Sequence, residues 1–219
     1  MTPPRIAAVI FDCDGVLVDS ETASFDLISE DLASYGLVMP RAELELTFLG
    51  GTMKNVWETA RRLGAALPDD WVADFYERLY QRLAQGIDLI DGVMEVIEAL
   101  DAAGIPYAVG SNGSDHKMQV TLGQHPLLMR RLEGRLFSGQ TLGCPKPDPG
   151  LFLHAAKFLG IDPAACAVID DSVPGCQAAM RAGMQGYGFA EHDDGVRLAE
   201  TGVRVFHKMA EFPGLIGLR

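Results

Sequence analysis

The chain has 219 residues, 48% hydrophobic and 22% charged, with a formal net charge of −12. That length suits one large domain or a core with a smaller insert, and so acidic a chain lacks the basic footprint of a non-specific nucleic-acid binder. No apolar run approaches the ~20 residues of a membrane span. The four cysteines, Cys13, Cys144, Cys166 and Cys176, form no CxxC pair. They point to free thiols in a cytoplasmic protein rather than to a disulfide framework. The start, Met-Thr-Pro-Pro-Arg, carries no secretory pattern, and the five histidines show no metal-ligand spacing. The acidic surface favours a monomer and leaves a dimer open.

In chain order, Ile6 to Phe11 is an apolar run without alternation, as expected of a strand buried on both faces of a parallel sheet. It ends at Asp12, Cys13, Asp14 and Gly15. Cys13, between the two aspartates, reads as core because successive side chains on a strand end point to opposite sides. Four helices are predicted next. The first carries Phe25, Ile28, Leu32 and Tyr35 before Gly36; the second follows Pro40 with Leu44, Leu46 and Phe48. The third carries Val56, Trp57, Ala60 and Leu63, and the fourth Val72, Phe75, Leu79 and Leu83. Residues 17–89 therefore read as a small all-helical insert, and 1–16 with 90–219 as an α/β core.

From Gly92 on, helices and strands alternate. A helix with Val93, Val96, Ile97 and Leu100 ends at Gly104. A strand, Tyr107 to Gly110, follows, and Ser111-Asn112-Gly113 is expected to open the next helix. Further strands are expected at Leu136–Ser138, Ala165–Ile169, Gln185–Ala190 and Val203–Phe206. Asp148 reads as a helix cap before Pro149, and Ser172 and Pro174 as the start of another helix. This alternation predicts a Rossmann-like, doubly wound parallel sheet with helices on both faces.

In such a sheet the carboxyl ends of the strands share one edge, where ligands bind. Asp12-x-Asp14, Ser111-Asn112, Lys146 and Asp170-Asp171 all fall there. Two ionised carboxylates about 4 Å apart repel by roughly 4 kcal/mol at an effective dielectric near 20. A proton, a basic residue or a cation must offset this, and Mg²⁺ takes one or two carboxylates with phosphate and water. A calcium loop does not fit, because its glycine belongs at the sixth position and Gly15 is fourth. Taken singly, each segment also reads as an ordinary cap, turn or polar strand end. Together they supply the parts of phosphoryl transfer: a carboxylate nucleophile, a metal, oxyanion donors including a helix N-terminus at Ser111-Asn112, a bridging Lys146, and an acid that later activates water.

The four segments, in this order, resemble the four motifs of the haloacid dehalogenase superfamily, and the helical insert after the first resembles its small cap. Asp12-Cys-Asp14-Gly-Val-Leu-Val-Asp-Ser-Glu21 and Asp171-Ser-Val-Pro-Gly175 resemble the sugar-phosphatase and β-phosphoglucomutase branch. Ser-Asn-Gly with Lys117-Met-Gln119, and Lys146-Pro-Asp-Pro149 followed by Phe152-x-His154-Ala-Ala-Lys157, are most similar to bacterial 6-phosphogluconate-type phosphatases.

The resemblance implies that Asp12 is the nucleophile and an Mg²⁺ ligand. It implies that Asp14 is the general acid and base, with its main-chain carbonyl on the metal. Ser111, the Asn112 backbone N–H, Gly15 and Lys146 would bind the phosphoryl group. Asp171 would complete the metal site, and Asp170 would touch metal-bound water or Lys146. Gly51, Thr52 and Lys54, in the turn where the family reads its substrate, would contact the leaving group. The substrate would be a small phosphorylated metabolite, a sugar phosphate or phosphorylated sugar acid. Neither nucleic acid nor membrane is expected as a partner.

Two departures weigh against the mutases of the branch, which are the alternative enzyme reading. Where they carry a histidine this chain has Ser24, and where they carry a cap arginine it has Met53 and Lys54. Dehalogenases and phosphonate hydrolases are disfavoured because their chemistry needs no acid at position 14. A catalytically silent binding module is the remaining alternative, against which the full set of Asp12, Asp14, Lys146 and Asp171 stands.

Overall fold

The computed structural model of the chain describes residues 5–48 and 53–218. The chain divides into two compact units: one holds the residues up to Asp19 and from Asp88 on, the other Ser20–Ile87.

In the first unit, β1 (Ala8–Phe11), β2 (Tyr107–Ser111), β3 (Leu136–Ser138), β4 (Cys166–Asp170), β5 (Gln185–Phe189) and β6 (Arg204–Phe206) form one sheet. Every pairing is parallel, and the order is β3-β2-β1-β4-β5-β6. Every residue of β1, β2 and β4 is buried, which is why their sequences show apolar runs and not alternation. Ala8, Ile10, Ala108 and Val168 pack on one face with Leu151, Phe152, Ala155 and Ala179 of the helices that cover it. The opposite face carries Phe11 and Tyr107 edge to face, and Tyr187 against Phe212. The order of the strands reverses between β1 and β4. Their carboxyl ends therefore diverge into a crevice, and Asp12 and Asp170 stand at it.

The second unit contains α1 (Ser20–Ser34), α2 (Arg41–Phe48), α3 (Met53–Arg62) and α4 (Trp71–Leu83). Not every expected core residue is buried: Leu63 lies just past the end of α3 and is exposed. Leu46 is exposed, because Leu44 and Phe48, one turn apart, already form the buried stripe of α2. Val72 lies off the stripe of α4, whose inward positions are Trp71, Phe75, Leu79 and Leu83. Trp71 faces inward because its indole Nε1–H donates to buried Asp31 at 2.8 Å, while Arg78 donates to both Asp31 oxygens at 2.5 and 2.7 Å. Asp31→Ala strands the indole donor in the core and is expected to cost about 1–3 kcal/mol, read as a lower midpoint of urea denaturation.

The crossings differ slightly from those expected. Val18 pairs with Leu89 in an isolated bridge, the Asp19 N–H donates to Asp88 O, and the Ile90 N–H to Leu17 O. These bonds tie residues 17–19 and 88–89 to the sheet unit instead of to the helices. Among the described residues no helix is long and apolar enough to cross a membrane.

After α5 (Val93–Ala103) and β2 come α6 (Asp115–Leu122), α7 (Pro126–Leu132), α8 (Gly139–Leu142), α9 (Gly150–Leu159) and α10 (Val173–Arg181). Gly104 ends α5 in the left-handed conformation, as its placement predicts. Two helix starts differ from expectation. The N-cap of α6 is Ser114, whose hydroxyl accepts from the Lys117 N–H, whereas Ser111 is the last residue of β2, drawn into the sheet by its register with Ser138. At α9 the cap position is Pro149, while Asp148 one residue earlier accepts from the Gly150 N–H at 2.7 Å.

Candidate active site

Lys146 lies at the centre of the site, with its side chain 3% exposed. Its ammonium donates to Asp12 Oδ1 at 2.6 Å and to Asp170 Oδ2 at 2.7 Å, joining the ends of β1 and β4. Asp12 is positioned by its own N–H, which donates to Ile169 O at 2.9 Å. Asp170 is held from its other side: the Ser172 N–H and hydroxyl donate to its Oδ1 at 3.0 and 2.6 Å. Gly175 in the first turn of α10 makes this packing possible, since a Cβ there would stand about 2 Å from the Asp170 carboxylate.

The β1 loop is tight. The Leu17 and Val18 N–H groups both donate to Cys13 O, and the Gly15 N–H donates to Val18 O. Gly15 takes φ +71°, which favours glycine, and a Cβ there would sit 2.1 Å from Asp171 Oδ2. Its N–H is committed to the loop, turned to Val18 O, and Gly15 supplies the turn and room for Asp171. Buried Cys13 packs into the core, and burial, then the neighbouring aspartates, push its thiol well up, so it stays neutral.

Asp12, Asp170 and Asp171 each place a carboxylate oxygen within 4.8 Å of the others. Two of these three carboxylates, Asp12 and Asp170, share the Lys146 ammonium. Burial, with repulsion from Asp170 and Asp14, lifts Asp12 to about 7 against the attraction of Lys146. Burial alone would lower Lys146, but Asp12 and Asp170 outweigh it and hold the ammonium charged. An excess of buried negative charge on hard oxygen donors suits a small divalent cation. Both Asp170 oxygens accept hydrogen bonds, Oδ1 from Ser172 and Oδ2 from Lys146.

Ser111 ends β2, buried, and its hydroxyl accepts from the Gly113 N–H at 2.9 Å. The expected helix N-terminus at Ser111-Asn112 is thus a turn, and α6 begins later. The Asn112 side chain also clamps the backbone of Lys146. Its Oδ1 accepts from the Lys146 N–H at 2.7 Å and its Nδ2 donates to Lys146 O at 3.2 Å. Lys54 is exposed on α3, 3.9 Å from Glu58. Gly51 and Thr52 lie outside the described residues.

A profile of the haloacid dehalogenase-like hydrolases matches residues 6–183. The chain belongs to that family. It is 30% identical over 213 residues to 6-phosphogluconate phosphatase of Escherichia coli K12, covering 96% of this chain and 95% of that one. Hexitol phosphatase B of the same organism is 28% identical over 187 residues, 84% and 83% of the two chains. Among solved structures, a haloacid dehalogenase family hydrolase from Deinococcus radiodurans, with bound phosphate and sodium, superposes with a TM-score of 0.84 at 32% identity over 96% and 95% of the chains.

Within this haloacid dehalogenase-like site, sequence reasoning missed two features. One is the Asn112 amide clamp, for which the sequence holds no signal, because its partner lies far along the chain. The other is Lys117, whose ammonium lies 2.7 Å from Asp14 Oδ1. Its sequence signal was its place in Lys117-Met-Gln119, which marked kinship and not a role.

Proposed function

We propose that the chain is a Mg²⁺-dependent phosphatase that hydrolyses a phosphomonoester of a small sugar phosphate or phosphorylated sugar acid through an aspartyl-phosphate on Asp12. The observation that carries this reading is the buried Lys146 bridge between Asp12 and Asp170, with Asp171 beside it and the Asp14 carboxylate set apart from that cluster. The E. coli relative named 6-phosphogluconate phosphatase makes 6-phosphogluconate the first substrate to try.

An oxygen of the Asp12 carboxylate attacks phosphorus, and the bond from phosphorus to the leaving oxygen breaks as Asp14 delivers a proton to that oxygen. Water then attacks the phosphorus of the aspartyl-phosphate while Asp14 takes its proton. Inorganic phosphate leaves and the Asp12 carboxylate is restored. Lys146 holds Asp12 oriented and faces the charge that spreads over the transferring group. The Ser111 hydroxyl and the Asn112 backbone N–H hold its oxygens. Asp12, Asp171 and the Asp14 carbonyl would hold Mg²⁺, which when bound would neutralise phosphate charge. We assign substrate selection to Gly51, Thr52 and Lys54 of the helical insert.

The test is phosphate release with Mg²⁺ from 6-phosphogluconate, hexose and pentose phosphates, hexitol phosphates, phosphoglycolate and nucleotides, with Asp12→Asn as control. Selective release from a sugar or sugar-acid phosphate, absent in the control, is expected. Release from none of them, with conversion of β-glucose 1-phosphate to the 6-phosphate, would overturn the reading in favour of a mutase. At the position where mutases carry histidine, the Ser24 hydroxyl donates to Ser20 O at 2.8 Å in its own helix.

Mg²⁺ binding has an expected pH dependence. Asp12 rises from 3.8 to about 7 on folding, so between those values the metal-free fold holds a proton that the unfolded chain does not. That contribution to stability is complete below 3.8 and is lost as pH rises through about 7. The cation competes with the same proton. Mg²⁺ should therefore raise the thermal midpoint more at about pH 8 than at about pH 5.5; equal shifts would contradict the assignment of Asp12 as a ligand.

A further inference from the structure

The site contains two lysines, and each serves a different set of carboxylates. Lys146 takes Asp12 and Asp170. Lys117 takes Asp14, at 2.7 Å, with its side chain 15% exposed. Asp14 stands two residues from Asp12, yet its carboxylate is absent from the group formed by Asp12, Asp170 and Asp171. Asp14 Oδ1 is buried and, although the Lys117 ammonium is near, accepts no well-aligned hydrogen bond. Charge attraction to Lys117, rather than a directional bond, is what draws that oxygen.

Lys117 is itself well anchored. Its N–H donates to the Ser114 hydroxyl at 3.1 Å, and its carbonyl accepts from the buried Thr121 hydroxyl at 3.0 Å. Its side chain reaches Asp14 across Gly113. At the point where a Gly113 Cβ would stand, Ser111 Oγ is 3.2 Å away, Lys117 Cδ 3.4 Å and Asp14 Oδ2 3.5 Å. The missing side chain thus leaves room for a lysine stem, an aspartate oxygen and the Ser111 hydroxyl to meet.

We propose that Lys117 is a positioning residue that keeps the Asp14 carboxylate out of the Asp12, Asp170 and Asp171 cluster and turned toward the phosphoryl seat at Ser111. Without it, a carboxylate two residues from Asp12 has a cation at the cluster as its strongest available partner. An acid that ligates the cation no longer serves the leaving oxygen. Lys117 in this way divides four neighbouring aspartates between cation binding and proton transfer. This role rests on the assignment of Asp14 as the acid and base.

The test compares Lys117→Met, Lys117→Gln and Lys117→Arg with the parent chain. It reads kcat and KM on the substrate that the phosphate-release panel selects, together with Mg²⁺ affinity by calorimetry in the absence of substrate. Lys117→Met should lower kcat by about 10–100-fold, a part of what a general acid contributes, with KM within about threefold of the parent. Its Mg²⁺ affinity should rise severalfold as Asp14 joins the cluster. Lys117→Arg, which keeps the charge, should recover most of kcat and the parent Mg²⁺ affinity. Lys117→Gln, which removes the charge but keeps a polar side chain, takes the place of the methionine variant if that one does not fold.

Unchanged kcat and Mg²⁺ affinity in the folded charge-free variant would overturn the proposal. So would a rise in KM alone, which would make Lys117 a substrate contact. Asp14→Asn, run in parallel, separates the two assignments. If it keeps full turnover, the role given to Asp14 is wrong; if it is inactive while Lys117→Met is normal, only the role of Lys117 is wrong.

Discussion

Asp12→Asn should reduce phosphate release by about 10⁴-fold or more, the scale of removing a nucleophile, while the protein folds as well as before. The amide has nearly the shape of the carboxylate, and its oxygen still accepts from Lys146, which sits 2.6 Å from Asp12 Oδ1 in the parent. What is lost is the nucleophilic oxygen charge. What is relieved is the burial and the repulsion from Asp170 and Asp14 that raise Asp12. The metal-free variant should therefore denature at the same urea concentration as the parent or a higher one. Mg²⁺ should stabilise it less than it stabilises the parent, because one anionic ligand has gone. Substantial turnover by the folded variant would rule out a covalent intermediate on this residue.

Lys146→Met should have the opposite effect on stability. The ammonium is the cation that bridges Asp12 and Asp170, and both carboxylates are buried. Removing one partner of a buried ion pair typically costs about 3–5 kcal/mol, because it leaves charge without compensation. The methionine fills the same space and removes only the charge and its donors. The loss should be largest above about pH 7, where Asp12 would otherwise ionise, and smaller in acid, where a proton takes the place of the lysine. Mg²⁺ should restore part of it. Urea denaturation with and without Mg²⁺ at two pH values checks all three statements; equal stability of variant and parent in metal-free buffer at the higher pH would contradict them. Turnover should fall as well, by about 10²–10³-fold, the scale of one preorganised charge-stabilising donor.

Much of the architecture is legible in the residues because burial is written directly into them. A strand covered on both faces must be apolar throughout, and the β1 and β4 runs are apolar up to the aspartates that end them. The stripe of Val93, Val96, Ile97 and Leu100 and the glycine after it define α5. Where the pattern misled, a long-range contact decided. Trp71 replaces Val72 on the inner face of α4 because Asp31, distant in sequence, accepts its indole proton. Ser111 and Ser114 are both suitable caps for α6. Pairing of Ser111 with Ser138 on the neighbouring strand takes the first into the sheet and leaves the second to cap the helix.

The site divides along the same line. Residue types and their places at strand ends are sequence properties. From them come the acidic pair, the lysine, the second acidic pair and the family that carries them, since each lies beside a local signal such as an apolar run, a glycine or a proline. Only the tertiary structure decided how the charges are shared. It placed Lys146 between Asp12 and Asp170, committed the Gly15 N–H to its own loop, used the Asn112 amide to hold Lys146 and brought Lys117 to Asp14. The physical reason is range. Burial and helix capping act over a few residues and leave a periodic trace, whereas a charge pair acts wherever the fold brings two side chains within a few ångströms and leaves no trace in the residues between them.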